Sequence, residues 1–226
     1  SLGAVLISFT IPVSSATLTQ KVDFRLESIR QAVTRPFLLY LGAAFLLQLG
    51  QNTTAPFLSL VLVERGASST IVGYTWSLTA LVEIPVFALT AKLLRRHRPE
   101  QLLVTAGLIN TLRMILFAFT PNPSLLVLIH AIEGLAFPLT TVSLVLLVDE
   151  LVEPSFKTTG FTLQAAVAFT LPRFLGSIWG GRIMDALGGT GLYLTGAFLT
   201  LLGCGAIALW WRSRDSKLQT STPTNL

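Results

Sequence analysis

Long apolar runs separated by short polar turns form the dominant pattern of this chain. Six of these runs are long enough to cross a hydrocarbon core of about 30 Å, which takes about 20 helical residues. They cover residues 36–63, 70–93, 101–120, 125–148, 159–187 and 190–211. The turns between them are ERGASS, RRHRPE, PNPS, VEPSFKTTG and LGGTG, which are rich in residues that interrupt helices. The pattern predicts an all-α membrane protein whose bundle spans residues 36–211 and contains six complete transmembrane helices.

Composition supports a membrane protein over a soluble one. Of the 226 residues, 52% are hydrophobic and only 12% are charged, whereas about 25% of the residues in a soluble domain are charged. The single cysteine, Cys204, cannot form an internal disulfide. One cysteine and two histidines, of which His97 lies in a polar loop, do not make a metal site. The sequence therefore indicates neither a metal nor a cofactor.

The two ends of the chain differ from the bundle. Residues 1–16 are apolar and lack the basic flank of a signal peptide, so they are predicted to be the end of a truncated transmembrane helix. Residues 17–35 are polar and are predicted to form an amphipathic inter-domain linker on the membrane surface, although a plain charged loop fits equally well. The apolar residues of this segment recur at helical spacing: Val22, Leu26, Ile29 and Val33.

Basic residues are distributed asymmetrically about the predicted spans. Twelve of the sixteen Lys and Arg lie in the leading segment, in two alternate loops or in the tail, residues 212–226. Because basic loops remain on the cytoplasmic side, the linker and the tail are predicted to be cytoplasmic, in a bacterial inner or plasma membrane. This asymmetry explains the net charge of +5 without a nucleic-acid partner.

Ionisable side chains interrupt the apolar runs at five positions. An ionisable residue at the centre of a membrane helix costs about 2.5–3.5 kcal/mol, so these residues are expected to face inward and to serve a function. The five are Glu83, Arg113, His130, Glu133 and Arg173. The amides Gln48 and Asn52 add polarity to the first span.

Three of these residues are predicted to meet. At 1.5 Å per helical residue, Arg113 and Glu133 both lie about 12–14 Å from the PNPS turn, on antiparallel neighbouring helices. His130 lies one turn from Glu133 on the same face. A carboxyl whose proton affinity is balanced between burial and a nearby guanidinium can load and release a proton. A static ion pair between Arg113 and Glu133 stays open, as does a hydrogen-bonded packing role for His130.

A second polar level lies deeper. Glu83 and Arg173 are both predicted near the midplane, where they would form a second acid–base pair. Trp76, on the helix of Glu83, could stack on a sugar or an aromatic ring, or could simply pack against neighbours. Prolines follow or precede the buried charges and allow kinks in their helices: Pro85, Pro138 and Pro172.

Two segments resemble a known family. IVGYTWSLTALVEIPVF from Ile71, and INTLRMILFAFTPNPSLLVLIHAIEGLAFPL from Ile109, are similar to helices eight to ten of the major facilitator superfamily. The similarity is to the group that includes the lactose permease and the phenylpropionate permease-like proteins. The segment AKLLRRHRP resembles the family's loop motif without its usual Gly and Asp. Glu133 stands where many phenylpropionate-type members carry a His.

The resemblance implies a fold and a set of roles. The chain would be the C-terminal half of a transporter, helices seven to twelve, built as two inverted three-helix repeats beside an N-terminal six-helix half missing from it. The alternative interpretation of the chain length is a complete six-helix protein. The resemblance makes Glu83 a substrate contact, Arg113 the residue that tunes the proton site, and Glu133, beside His130, the proton carrier.

The sequence thus predicts a secondary active transporter of a small organic solute, namely a sugar, a nucleoside or an aromatic acid. Proton-coupled symport by alternating access is expected, with the proton, the solute and the lipid bilayer as partners. Proton coupling is assigned to Glu133, His130 and Arg113. Substrate binding is assigned to Glu83, Trp76, Asn52, Gln48 and Arg173. No enzyme is expected, because no nucleophile with a base occurs at a suitable depth. The alternative is a channel or a structural membrane subunit with static ion pairs.

Overall fold

The computed structural model describes residues 33–220, and over this range the chain is helical, with no β-strand. The predicted helix end at 1–16, all but the last three residues of the predicted linker at 17–35, and residues 221–226 lie outside the described residues. The α-helices are α1 Arg35–Thr54, α2 Leu58–Glu64, α3 Ser69–Leu93, α4 Pro99–Phe119, α5 Pro123–Ala131, α6 Glu133–Leu151, α7 Lys157–Gln164 and α8 Leu171–Thr220. Three short segments of 3₁₀- or π-helix connect them at Ala55–Phe57, Pro154–Phe156 and Ala165–Thr170.

Four helical runs in the described part of the chain are long and apolar enough to cross a membrane. They are Ser69–Leu93, Pro99–Phe119, Pro123–Leu151 and Pro154–Asp215. This confirms an all-helical protein with membrane-like helices but not the predicted six complete spans, which remain a prediction. The predicted first span is helical but carries a polar stretch from Gln48 to Thr54. The predicted fifth and sixth spans lie within one run of 62 residues.

Gly188 divides α8 into two arms, 171–187 and 189–220. Its φ of 66° and ψ of −175° are not helical, and such a positive φ favours glycine because it has no Cβ. Along the first arm, Gly176 contacts Asn52 and Gly180 contacts Phe57, so this arm runs parallel to α1 and α2. The second arm runs in the opposite direction, which makes the α8 element a hairpin.

The second arm packs closely against α1. A Cβ on Gly196 would lie 2.6 Å from the side chain of Thr54, and one on Gly203 would lie 2.4 Å from the backbone of Leu47. Small residues allow membrane helices to approach each other in this way. Helix α1 is therefore held between the two arms of α8.

A proline interrupts the first predicted span. Pro56 lies in the 3₁₀ turn Ala55–Phe57, which separates α1 from α2. A proline has no N–H to donate, so a regular helix cannot continue unchanged through this point. Just before it, the Thr53 hydroxyl donates to the Leu49 carbonyl at 2.7 Å, and the Asn52 amide donates to the Gln48 carbonyl at 2.8 Å.

The chain reverses between α2 and α3 through a Schellman turn. Gly66 has a φ of 85°, its N–H donates to Val63, and the N–H of Ala67 donates to Leu62, both at 2.9 Å. These bonds satisfy carbonyls that the end of α2 leaves open. Ser68 then caps α3, because its hydroxyl accepts from the N–H of Ile71.

Arg65 fastens this turn to the end of α4. Its Nη1 donates to the carbonyls of Phe117 at 2.5 Å and Thr120 at 2.6 Å, and its Nη2 donates to Ala118 at 3.1 Å. The guanidinium also lies 5.6 Å from the centre of the Phe117 ring. A cation is favourable here because the free carbonyls give a helix C-terminus negative character.

Charged pairs join three helices at the opposite end of the bundle. Arg214 on α8 contacts Glu100 on α4 at 3.3 Å and Glu150 on α6 at 2.8 Å. Arg98 contacts Asp215 at 2.6 Å. This end contains the basic loop RRHRPE, which the sequence predicts to be cytoplasmic.

We expect Gly203→Ala to destabilise the protein by about 1–3 kcal/mol, because the new methyl group would overlap the backbone of Leu47. Gly205→Ala is the matched control, since nothing lies within 4 Å of a Cβ at that position. The unfolding temperature of the detergent-solubilised protein checks both variants. Equal unfolding temperatures would contradict the close packing of α8 on α1.

We expect Arg65→Ala to lower stability by about 1–2 kcal/mol, because three carbonyls at the end of α4 lose a charged donor. Arg182→Ala is the control, since Arg182 is exposed and has no ion pair among the described residues. Thermal unfolding by tryptophan fluorescence measures both. A drop of the same size in both variants would show that loss of charge, and not loss of the cap, is responsible.

Candidate functional site

A break in the helix separates two of the predicted site residues. Helix α5 ends at Ala131 and α6 begins at Glu133, with Ile132 between them. The N–H of Ile132 bonds to Ile129 at 3.2 Å, and the N–H of Leu135 bonds to Ile132 at 3.0 Å. Both are i to i+3 bonds, which tighten the helix locally. His130 and Glu133 therefore lie on either side of a tightened turn.

Arg113 lies at the centre of the site and is 2% exposed. Its Nη1 is 3.2 Å from Oε2 of Glu133 and 3.1 Å from Nδ1 of His130. Its Nε donates to Oδ1 of Asn110 at 2.8 Å. Arg113, Asn110, His130 and Glu133 form what we call the Arg113 cluster. The antiparallel packing of α4 against α5 and α6 brings them together, as the equal distances from the PNPS turn predict.

The hydrogen bond from Arg113 fixes the state of the imidazole. A guanidinium can only donate, so Nδ1 of His130 must accept, and the ring is then neutral with its proton on Nε2. Nε2 is 3.6 Å from Oε2 of Glu133, beyond a normal hydrogen bond. The carboxylate oxygen thus has a cation on one side and an N–H at longer range on the other.

Aromatic rings surround the imidazole. Trp76 lies edge-on to His130 with ring centres 5.9 Å apart, and Phe117 lies edge-on at 6.3 Å. Phe117 in turn stacks on Tyr193, with centres 4.2 Å apart and planes 17° apart. Tyr193 is 1% exposed. These rings limit where the imidazole can move.

A glycine next to the acidic residue brings α3 into the site. A Cβ on Gly134 would lie 2.8 Å from both the Thr79 carbonyl and the Val82 side chain, so α3 packs directly on this point. Trp76 and Glu83 lie about one turn on either side of that contact. The Glu83 side chain is partly exposed.

The remaining predicted binding residues lie apart from the cluster. Gln48 is buried on α1 and its Oε1 has no hydrogen-bond partner, while Asn52 is half-buried beside Gly176. Arg173 is exposed on the first arm of α8. The predicted pair between Glu83 and Arg173 does not form among the described residues. Equal depth in the bundle does not bring Glu83 and Arg173 together, because the two side chains belong to helices that do not face each other.

Sequence reasoning did not single out Phe117, Tyr193 or Arg65. Phe117 occurs in an apolar run without any signal that separates it from its neighbours. Tyr193 stacks on Phe117 from α8. It lies 80 residues after Arg113 in the chain. Asn110 lies three residues before Arg113 on a helix, which places the two side chains on one face, so this spacing is the signal that could have found it.

The acid and the guanidinium of the Arg113 cluster differ in exposure. The Glu133 side chain is 22% exposed, whereas that of Arg113 is 3% exposed. The acid therefore reaches the surface of this bundle while the guanidinium stays buried. Arg113 also bonds to Asn110 and His130, so Glu133 is not its only partner.

A comparison with protein families identifies the relationship. The family model described as the MFS_1-like family matches residues 13–195, which is most of the chain. A search among curated proteins gives no match. The more specific resemblance to the lactose and phenylpropionate permeases remains a prediction. The extent of the family match shows that the chain belongs to the MFS_1-like family of the major facilitator superfamily.

Proposed function

We propose that this protein is a secondary active transporter that moves a small organic solute together with a proton. Membership in the MFS_1-like family supports transport as the function. The long apolar helices support a location in the membrane. The alternating-access mechanism expected for such transporters needs a coupling site whose proton affinity differs between two conformations.

The observation that carries the proposal is the environment of Glu133. Its Oε2 is 3.2 Å from a buried guanidinium, and the side chain still reaches the surface of this bundle. In general, an ion pair favours a charged carboxylate, and removal of water favours a protonated one. A conformational change that closes the exposed side would therefore favour proton binding, and one that opens it would favour release.

The substrate is proposed to bind beside this acid. Trp76 is 52% exposed and Glu83 is partly exposed, and both flank the contact of α3 with Gly134. A solute on this surface would contact the indole and the Glu83 carboxyl directly. Because α3 packs on Gly134, Glu83 and Glu133 lie on contacting helices, and a proton on either carboxyl would lower the repulsion between two like charges. This interaction is the proposed link between proton and solute.

Two amides on α1 extend the proposed binding surface. The Oε1 atom of Gln48 is buried without a hydrogen-bond partner, which is costly unless a water molecule or a ligand donates to it. Asn52 already uses its amide N–H to bond to the Gln48 carbonyl at 2.8 Å. Its carbonyl oxygen remains as an acceptor for a hydroxyl group of a solute.

We expect Glu133→Gln to abolish proton-driven accumulation while leaving exchange of solute across the membrane intact, because exchange requires no release of the proton. Uptake of a labelled sugar, nucleoside and aromatic acid would be measured in vesicles containing the full-length protein, with and without a protonophore. Solute affinity should change less than about tenfold, since the amide retains the shape of the acid. Asp185→Asn is the control, because Asp185 is an exposed acid without an ion pair among the described residues.

Three results would count against the proposal. Accumulation by the Glu133→Gln variant that still responds to the protonophore would show that another group carries the proton. Accumulation by the unmodified protein that ignores the protonophore would remove the proton from the mechanism. Loss of stability in Glu133→Gln with unchanged transport would identify the contact with Arg113 as a purely structural ion pair.

A further inference from the structure

Arg173 is an exposed cation in the middle of a membrane-like helix. It lies near the centre of the run 154–187, which precedes the break at Gly188. Among the described residues, no carboxylate lies within ion-pair distance of its guanidinium. A guanidinium at this depth is unfavourable in contact with lipid, so it requires a water-filled cavity or an anion.

The side chains around Arg173 form a groove with a volume of about 400 Å³, within the range of small-molecule sites. Most of its wall is aromatic or aliphatic, and Arg173 provides the only charge. The lining residues are Phe169, Thr170, Arg173, Phe174, Ser177 and Ile178. Phe174 is 61% exposed and Ile178 is 43% exposed, so apolar surface is available beside the guanidinium.

The local fold explains why this surface faces outward. Arg173 lies one turn before Gly176, at the edge of the face that packs on α1 through Gly176 and Gly180, and its side chain is exposed there. The π-helical turn Ala165–Thr170, in which the Leu171 N–H bonds to the Ala166 carbonyl, lies just before Pro172. A π-turn adds one residue to a helical turn and so changes the direction of the side chains around it. Phe169 and Thr170 enter the groove at this turn.

We propose that this groove binds the carboxylate group of an amphipathic organic anion, with Arg173 as its partner. The inference goes beyond the proposed function, because it adds an anion site on α8 that lies apart from the surface beside Glu133. A guanidinium pairs with a carboxylate through two parallel hydrogen bonds. The apolar body of the anion lies against Phe174 and Ile178. The Thr170 hydroxyl supplies one further polar contact.

The composition of the groove favours this class over other solutes. A sugar needs hydrogen-bond partners around its ring, and this groove offers mainly apolar surface. A cationic solute would be repelled by Arg173. A phosphate dianion normally recruits more than one cation or a set of backbone N–H groups, and here a single guanidinium is present. One charge beside apolar surface matches a monocarboxylate.

The test compares acids with neutral amides of the same shape. The full-length protein is purified in detergent, and hexanoate, benzoate, hexanamide and benzamide are titrated while the unfolding temperature is recorded, which gives the affinity for each probe. The variants are Arg173→Gln, Arg173→Lys and, as a matched control on the same helix, Arg182→Gln. We expect the acids to stabilise the unmodified protein and Arg182→Gln. Arg173→Gln should weaken their binding at least tenfold, and Arg173→Lys should weaken it less.

Three results would overturn the inference. The amides could bind as tightly as the acids, or Arg173→Gln could keep the affinity for the acids unchanged. In the third result, no acid binds, and without ligand Arg173→Gln unfolds at a lower temperature than the unmodified protein. This result would show that Arg173 pairs with a carboxyl of the protein itself. Because binding is measured without a proton gradient, these outcomes are independent of the Glu133→Gln uptake experiment.

Discussion

The need to neutralise one buried guanidinium governs the arrangement of the candidate site. Arg113 is almost completely buried in an apolar helix, where an unpaired charge would be strongly unfavourable. Its donors are divided among Asn110, His130 and Glu133. Each of these partners requires a particular feature of the fold. Asn110 requires the shared face of α4, His130 requires the break at Ile132, and Glu133 requires the antiparallel packing of α4 on α5 and α6. The cluster is therefore also a constraint on how these helices pack.

Counting residues from a turn was enough to predict the centre of this cluster. Arg113 and Glu133 are almost equally far from the PNPS turn, and antiparallel helices joined by a tight turn must bring such positions to the same level. The same reasoning failed for Glu83 and Arg173, because depth specifies a level but not which helices are neighbours. Tyr193 escaped prediction for the same reason. Its contact with Phe117 depends on how the second arm of α8 returns to α4, which no local pattern encodes.

The fold combines fixed and accessible surfaces. Around α1, contacts at Gly196 and Gly203 bring backbones so close that even a methyl group does not fit. Arg65 and Arg214 tie helix ends together at opposite ends of the bundle. By contrast, only 17% of the apolar window of α3 is buried in this bundle. The helices that position Arg113 are thus held firmly, while the helix that carries Trp76 and Glu83 has most of its surface available to other contacts.

His130 connects these two kinds of surface. Its Nδ1 accepts from the buried Arg113, and its ring contacts Trp76, which is half-exposed. On the other side of the imidazole, Phe117 contacts the same ring, and Phe117 itself packs against Arg65 and Tyr193. A displacement of α3 that moves Trp76 must therefore either move the imidazole or break the edge-on contact. Because the imidazole shares Nη1 of Arg113 with Glu133, any shift of the ring changes how fully the guanidinium can pair with the acid. The contact between Trp76 and His130 can in this way couple the position of α3 to the pairing of Arg113 with Glu133.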